Sequence, residues 1–487
     1  MFLKAFFKFK LFSKWCIILG GEIMISSSKQ RIFEKLAIPK AVLLLAIPTI
    51  LSSLVMVIYN LADTYFVGLL DNPIQNAAVT LAAPVLLSFN AINNLFGIGT
   101  SSLMSRSLGE KKYEKVKRCS VFGFYSSLFF GLLISLGYTI FSKSFLGILG
   151  ADSENIKATG EYLTWTTTFG AIPSILNVVM ANLVRSEGST FHASIGTMTG
   201  CLLNIILDPF FILPFGLNMG ASGAGLATFI SNSLACLYFF ILLFVRRNST
   251  NVSINPKLFK FNKEITLGIF AVGIPAAIQN LLNVTGMTVL NNFTSSFGSN
   301  AVAAMGISYK INMIPMYISM GLSQGIMPLI SYNYASKNYK RVKNTFYFSF
   351  VVSVSFMVLT SFIYGFCSHY FVSLFIETKE VVDYGSRFMK GMCLALPFLC
   401  IDFLAVGVFQ AIGMGKLSLL FAILRKIVLE IPALIILNYL FPLYGLAYAQ
   451  FIAEIILAIV AIIVILKLFA KWNKSEENIS LETKQSL

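Results

Sequence analysis

Two aspartates stand inside otherwise apolar stretches of the chain, where a charge is costly and usually functional. Asp63 and Asp208 each lie about six residues from the end of their stretch, and Asn204 precedes Asp208 by one helical turn on the same face. Thr228 lies at a similar depth in the following stretch. At 1.5 Å per residue, these four side chains share one layer, roughly 10 Å below one surface of the protein.

Such a layer predicts ion chemistry. Two carboxylates that approach each other in a low dielectric cannot both be cheaply ionised, so the pair can take up a proton or a small cation. Asn and Thr supply neutral oxygens that complete a Na+ site or orient a protonated acid. We therefore expect Asp63, Asn204, Asp208 and Thr228 to couple ions, and to ligate the metal if the ion is Na+. The alternative is that Asp208 caps a helix broken by Pro209 while Asp63 faces water.

A second polar layer is expected in the later part of the chain, from Lys310, Glu430 and Glu454. A buried Lys without a partner is costly, so we expect Lys310 to pair with one of the two glutamates. This pair is either a structural ion pair or part of transport. Asp402 and Gln279 are weaker candidates in the same region.

Soft and amphipathic side chains crowd the same region and suit promiscuous binding of flat lipophilic cations. Most of them would face lipid or pack between helices instead. The candidate substrate-cavity residues are Asn60, Gln279, Asn283, Met287, Tyr309 and Met313.

The composition indicates the elements that position these residues. Hydrophobic residues make up 56% of the 487 residues and charged residues 12%, about half the charged share of soluble proteins. This excludes a soluble enzyme. The net charge of +16 lies in short connectors between apolar stretches, so it does not predict a nucleic-acid-binding face. Seven Cys without a CxxC pair and two distant His give no disulfide framework or metal motif.

Twelve apolar stretches predict an all-α polytopic membrane protein with twelve transmembrane helices. The predicted spans are 39–67, 78–103, 120–141, 161–183, 193–214, 221–244, 267–292, 302–330, 346–366, 387–411, 417–438 and 444–468. The even-numbered connectors carry seventeen Lys and Arg: Arg106, Lys111, Lys112, Lys115, Lys117, Arg118, Arg185, Arg246, Arg247, Lys257, Lys260, Lys263, Lys337, Lys340, Arg341, Lys343 and Lys416. The odd-numbered connectors carry only Lys143, Lys157 and Lys379. This bias predicts that the even connectors and both termini are cytoplasmic.

The segment from Met1 to Met24 alternates Phe, Leu and Lys around an apolar patch that is too short to span a membrane. It is interpreted as a basic amphipathic anchor, as a signal peptide without a full apolar region, or as sequence upstream of a start at Met24, which we favour.

An internal repeat divides the chain into two halves. Gly99–Ser105, with the basic run that follows it, recurs as Gly325–Ser331 at offset 226. Pro48 recurs as Pro275 at offset 227, and Gly188 recurs as Gly413 at offset 225. These matches predict two pseudo-symmetric six-helix bundles in parallel, with a substrate cavity between them. The expected divisions are a cytoplasmic segment 1–36, halves 37–244 and 267–468, a cytoplasmic linker 245–266 and a polar tail 469–487.

Several of these motifs together resemble the MATE (multidrug and toxic compound extrusion) family, in its bacterial MepA- and DinF-like branch. They are Ile47 to Gly68, Ser105 to Lys111, Arg185 to Gly188, Asn204 to Pro209 and Gly223 to Thr228. The resemblance covers about residues 32 to 468. One branch of the family carries an acidic residue in helix 7, where this sequence has Asn283, so a helix-7 carboxylate mechanism is not expected here.

The resemblance implies a secondary active exporter rather than an enzyme. It would exchange organic cations for H+ or Na+ by alternating access, without a cofactor and as a monomer in the bacterial cell membrane. No Walker A motif is present, so ATP is not expected to drive it. A flippase for lipid-linked sugars is the first alternative, disfavoured on the view that only Lys310 lies deep within a span. A membrane-embedded enzyme is the second, and no clustered catalytic motif supports it.

Overall fold

The computed structural model describes residues 29–70 and 72–485, with side chains from residue 31 to residue 474. The interpretations of the segment from Met1 to Met24 fall outside this range. Within it the chain is almost entirely helical, and no strand occurs among the described residues.

The twelve predicted spans correspond to twelve long helices, α1 to α12. Five of the first six are continuous: α1 Ile38–Gly68, α2 Pro73–Gly109, α3 Tyr113–Ile148, α5 Thr190–Ile212 and α6 Gly220–Val245. Four of the last six are continuous: α7 Lys263–Ser295, α8 Ser299–Ala335, α9 Tyr339–Ser373 and α12 Tyr444–Lys474, which runs on to residue 485. Two helices are bent: α4 consists of Ile156–Phe169 and Ala171–Ser186, and α10 of Lys379–Cys393 and Leu396–Ala411.

α11 is the exception to the apolar pattern. It runs through Gly415–Ile423, a wider π-helical turn at Leu424–Glu430, and Ile431–Leu440. Three charged residues, Arg425, Lys426 and Glu430, lie in its middle, whereas each of the other eleven spans has an apolar stretch with at most two charged residues. The prediction of a span at 417–438 included Glu430 as a candidate but missed Arg425 and Lys426.

Residues that correspond in the sequence repeat have the same backbone conformation in the two halves. Lys111 and Lys337, which correspond at offset 226, both have positive φ, at 59° and 61°. Gly188 and Gly413 have φ of 88° and 84° after the two bent helices, whose bends are 49° and 48°. Only residues that tolerate the left-handed region fit such helix ends easily. The two six-helix bundles thus share their turns as well as their sequence motifs.

Small residues let the two halves approach closely at two helix crossings. A Cβ on Gly325 of α8 would lie 2.6 Å from the Ala46 Cα of α1. A Cβ on Gly273 of α7 would lie 2.0 Å from the carbonyl oxygen of Leu95 in α2. Glycine at a membrane helix crossing replaces a side chain with backbone packing. Gly325 is followed by connector 8, so the α1–α8 crossing lies toward the end predicted to face the cytoplasm.

The segment before α1 lies across the same end of the molecule. It contains a short helix, Lys29–Glu34, whose Phe33 is fully buried and stacks on Tyr332 of α8 at 4.9 Å between ring centroids. The Arg341 guanidinium donates hydrogen bonds to the carbonyl oxygens of Phe33 and Leu36, each at 2.6 Å. A residue in the first turn of α9, in the second half, thus holds the segment that precedes the first half.

The linker between the halves packs along α3. The Ser120 hydroxyl donates to the Ser253 carbonyl at 2.5 Å and accepts from the Ser253 N–H at 2.8 Å. Lys115 pairs with Glu264 at 2.6 Å. These contacts tie the linker and the first turn of α7 to the first half.

Candidate functional site

The polar layer of the first half is built from α1, α5 and α6. Asp208 and Asn204 are buried, one turn apart on α5, with Pro209 in the last turn of that helix. In the orientation that satisfies both of its atoms, the Asn204 amide donates to Asp208 Oδ2 at 2.8 Å and accepts from the Thr228 N–H at 3.1 Å. In the opposite orientation its nitrogen faces Thr228 Oγ1 at 3.3 Å. Three of the four predicted residues therefore form one connected group.

Asp63 completes this group from α1. It is partly buried and lies close enough to Asp208 for the two carboxyl groups to interact electrostatically. The Tyr59 and Tyr162 hydroxyls lie close enough to both aspartates to interact with them electrostatically. Neither Asp63 nor Asp208 has a Lys or Arg partner among the described residues. Within the part of the chain that the structure describes, the layer thus contains two carboxyl groups and no compensating cation.

The polar layer of the second half is built differently. Arg425 of α11 lies 2.7 Å from Glu454 and 3.5 Å from Asp402, and all three are buried. Its guanidinium also lies over the Phe403 ring, 5.2 Å from the centroid. One turn of α11 brings Lys426 to Glu430, with Nζ donating to both carboxylate oxygens at 2.7 and 2.6 Å. Every carboxylate of this layer therefore has a cationic partner.

The predicted pairing of Lys310 with Glu430 or Glu454 is wrong. Lys310 is partly exposed on α8 and makes no ion pair among the described residues. The expectation that only Lys310 lies deep within a span is also wrong, because Arg425 and Lys426 are buried in α11. The sequence interpretation placed Glu430 in the span 417–438 but overlooked Arg425 and Lys426 in the same span.

Two cavities lie beside these layers. One, of about 240 Å³, is lined in the second half by side chains that include Asn283, Met287, Tyr309, Tyr317, Lys426 and Glu430. The other, of about 130 Å³, lies between the halves and is lined by Asn182 and Arg185 from the first half and by Gln279 and Gln410 from the second. Both cavities share Asn280, Asn283, Met320 and Phe403, so they adjoin each other.

The candidate cavity residues divide accordingly. Asn283, Met287 and Tyr309 line the cavity of the second half, and Gln279 lines the one between the halves. Met313 is not among the residues that line either cavity, and Asn60 is exposed on α1.

Comparison with known protein families identifies the family to which this architecture belongs. The family model described as MatE matches residues 48–210 and 275–440, more than half of the chain, in two stretches that correspond to its two halves. The chain belongs to the MATE family. The recognition made from the sequence motifs is thereby confirmed.

Individual MATE relatives agree over nearly the whole length. Multidrug export protein MepA of Staphylococcus aureus (strain MRSA252) is 36% identical over 436 residues, which cover 89% of this chain and 94% of that protein. Multidrug export protein MepA of Staphylococcus haemolyticus (strain JCSC1435) is 37% identical over 439 residues, covering 90% and 95%. These relatives are named as export proteins and not as enzymes.

A solved MATE structure agrees in fold. It is described as the outward-facing conformation of a multidrug resistance MATE family transporter of the MOP superfamily. It matches with a TM-score of 0.86 and 25% identity, over 92% of this chain and 99% of that one. This likeness, together with the twelve helices, confirms the predicted fold class.

Sequence reasoning missed four residues of the two layers in this MATE protein. Tyr59 and Tyr162 flank the aspartates, and Arg425 and Lys426 neutralise the carboxylates of the second half. Tyr59 was recoverable, because it lies one helical turn before Asp63. Tyr162 was not, because it enters from α4 and nothing in the sequence pairs that helix with α1.

Proposed function

We propose that this protein is a secondary active multidrug exporter that exchanges organic cations and lipophilic drugs for H+ or Na+ by alternating access. The names of the MepA relatives support drug export. One observation carries the choice of coupling site. The carboxylates of the second half are neutralised by Arg425 and Lys426, whereas Asp63 and Asp208 have no cation among the described residues. Two carboxyl groups without a built-in counter-charge need a mobile one.

The orientation of the Asn204 amide depends on whether Asp208 is ionised. When Asp208 is ionised, the amide nitrogen is the matching partner for its carboxylate oxygen. When Asp208 carries a proton, or a Na+ lies beside it, the amide oxygen is the better neighbour, and the nitrogen can then turn to Thr228. Proton or ion uptake would therefore be passed from α5 to α6 by a single amide rotation.

The number of oxygen atoms that are free to bind an ion distinguishes Na+ from H+ at these residues. A Na+ would be held by oxygens of Asp63, Asp208, Asn204 and Thr228, the set predicted from the sequence. In the orientation that bonds an ionised Asp208, however, the Asn204 oxygen is occupied by the Thr228 N–H. We therefore favour H+ as the coupling ion. Each inward-moving charge gains about 2.3 kcal/mol per 100 mV of membrane potential.

The cavity of the second half is the proposed region for the drug. Its Met and Tyr side chains offer polarisable, flat surfaces. Beside it, Asp402, Glu430 and Glu454 face Arg425 and Lys426, which leaves one net negative charge when all five are ionised. A buried net negative charge favours a cationic guest over an anionic one.

The flippase alternative needs several free cations for a pyrophosphate group. Arg425 and Lys426 add to the buried cations, but each is paired with a carboxylate and offers no uncompensated charge. Arg185 is buried without an ion pair among the described residues, but a single cation is fewer than a pyrophosphate group needs. The alternative therefore stays the weaker one.

In the cell we propose a monomer in the bacterial cytoplasmic membrane, with both termini and the linker 245–266 on the cytoplasmic side. Transport by purified protein in proteoliposomes tests the proposed function. The protein should drive ethidium against its gradient when a pH gradient is imposed, and the effect should persist when Na+ is omitted. Movement only with a Na+ gradient would transfer the coupling role to Na+. No movement with either gradient would refute coupled export.

A further inference from the structure

Arg185 is a buried cation that neither polar layer uses. It lies in the last turn of α4 with 8% of its side chain exposed, and it lines the cavity of about 130 Å³ between the halves. The sequence places Arg185 in the predicted cytoplasmic connector 184–192, whereas in the structure α4 continues through Ser186 and includes it. The cavity therefore lies toward the end predicted to face the cytoplasm. A guanidinium at this depth normally needs a charged partner.

Arg185 has no such partner among the described residues, where it forms no ion pair. Its Nη1 donates to the Asn182 side-chain oxygen at 2.9 Å, while its Nε is buried without any hydrogen bond. The carboxylate next to it in sequence, Glu187, is engaged elsewhere, accepting from the Thr250 hydroxyl and the Asn251 N–H at 2.9 Å each.

The rest of the cavity wall does not supply the missing charge. Arg185 is the only charged residue among those described that line it. The other polar residues that line it are neutral amides and hydroxyls: Asn94, Ser101, Asn182, Gln279, Asn280, Asn283, Ser323, Gln324 and Gln410. Amide and hydroxyl hydrogens can donate to an anion as readily as to water. About 10–15 Å³ suffices to hold one water, so the cavity has room for a small hydrated ion.

We propose that this cavity is a binding site for one monovalent anion, with Arg185 as its counter-ion. The anion is either a free halide or small carboxylate, or the carboxylate group of a substrate whose body occupies the adjoining cavity. A single guanidinium matches one negative charge, and its fork of donors fits a carboxylate in particular. Because the two cavities share four lining residues, a substrate in the adjoining cavity could extend its carboxylate to Arg185. The free-anion source is independent of drug export, whereas the substrate source rests on the proposed function.

Thermal unfolding of the purified protein in detergent tests the free-anion source. Chloride, formate or acetate replaces gluconate at constant ionic strength, because gluconate is too large for the cavity. Wild type should gain melting temperature saturably, as expected when a ligand binds only the folded state. Arg185→Gln should lose this gain, whereas Arg247→Gln, which removes an exposed charge, should retain it.

A matched dye pair tests the substrate source. Rhodamine B carries a free carboxylate, and its ethyl ester is the same dye with that group masked. In gluconate, wild type should bind rhodamine B at least about tenfold more tightly than the ester, as expected for a charged hydrogen bond. Arg185→Gln should remove this preference without weakening the ester. Binding of the ester alone reports the drug cavity, so failure of the proposed function is distinguishable from failure of the anion site.

The wild-type protein alone can overturn the inference. If none of the small anions raises its melting temperature saturably and it binds both dyes equally, no anion site exists. Should Arg185→Gln fail to fold, Arg185→Lys keeps the charge but not the fork of donors, and it should weaken binding of formate more than binding of chloride. Equal responses of Arg185→Lys and wild type to both ions would contradict the role assigned to the guanidinium.

Discussion

Asp63 and Asp208 share a layer in which the described residues include no Lys or Arg partner, whereas Glu430 and Glu454 each touch a cation, at 2.6 and 2.7 Å. The first pair can change charge during a transport cycle without leaving an orphaned partner. The second group cannot, because protonating Glu454 would leave Arg425 buried with weaker compensation. The contrast supports the proposal that coupling belongs to the first half and structural support to the second.

The first prediction concerns the coupling residues. Asp63→Asn and Asp208→Asn should preserve folding but remove coupled export, because an amide keeps the shape of the carboxyl group and cannot titrate. Drug resistance in a host lacking its own pumps, with expression checked by immunoblot, measures this. Wild-type resistance in both variants at normal expression would refute the assignment.

The second prediction concerns the ion pairs of α11. Glu454→Gln should destabilise the protein by about 3–5 kcal/mol, because it leaves a buried guanidinium short of a carboxylate. Adding both Arg425→Gln and Asp402→Asn to Glu454→Gln should restore part of the loss, because no member of the cluster is then left charged without a partner. Lys310→Ala is the matched control and should change the melting temperature little, since Lys310 makes no ion pair among the described residues. A larger loss for Lys310→Ala than for Glu454→Gln would contradict the observed pairing.

Depth counting along the sequence was sufficient to bring Asn204, Asp208 and Thr228 together, because each lies a known distance along the chain from a helix end. The same method failed for Lys310. Its depth matched that of the glutamates, but depth does not fix the direction in which a side chain points around its helix. Arg425, a little over one helical turn before Glu430, was the cation that the fold presents to Glu454.

At the scale of the helices, glycine decides how closely the halves approach. A Cβ at Gly325 would meet the Ala46 backbone, whereas a Cβ at Gly306 of the same helix would meet nothing within 4 Å. The sequence repeat predicted that α1 and α7 correspond. It did not predict which helices cross, nor the bends of α4 and α10, because these depend on packing between segments far apart in the chain.

The third prediction uses this pair of glycines. Gly325→Ala should lower the melting temperature and reduce export, because the two helices must separate to admit the methyl group. Gly306→Ala should be neutral or slightly stabilising, since alanine favours a helix over glycine by about 1 kcal/mol. Thermal unfolding and resistance assays compare the two variants. Equal behaviour would show that the α1–α8 crossing tolerates separation and does not close the molecule.

At the scale of the whole molecule, the halves are in direct contact near the ends predicted to face the cytoplasm. The Ser102 hydroxyl of α2 donates to the Gln410 carbonyl of α10 at 2.5 Å, and Phe33 stacks on Tyr332. In the proposed alternating-access cycle, these contacts would close the cytoplasmic side, and ions would reach the polar layer of the first half from outside. In the proposed cycle, an entering proton and a bound drug cation exclude each other, which makes protonation the step that expels the drug.

The pH dependence of drug affinity tests this claim most directly. The dissociation constant of ethidium should be measured in detergent, without Na+, from about pH 8 to pH 5, for wild type, Asp63→Asn and Asp208→Asn. Affinity should be greatest at alkaline pH, where the pair is ionised, and should weaken by up to about tenfold per pH unit for one competing proton as the pair protonates. The two variants should lose most of this dependence. A flat wild-type curve would contradict proton competition at Asp63 and Asp208.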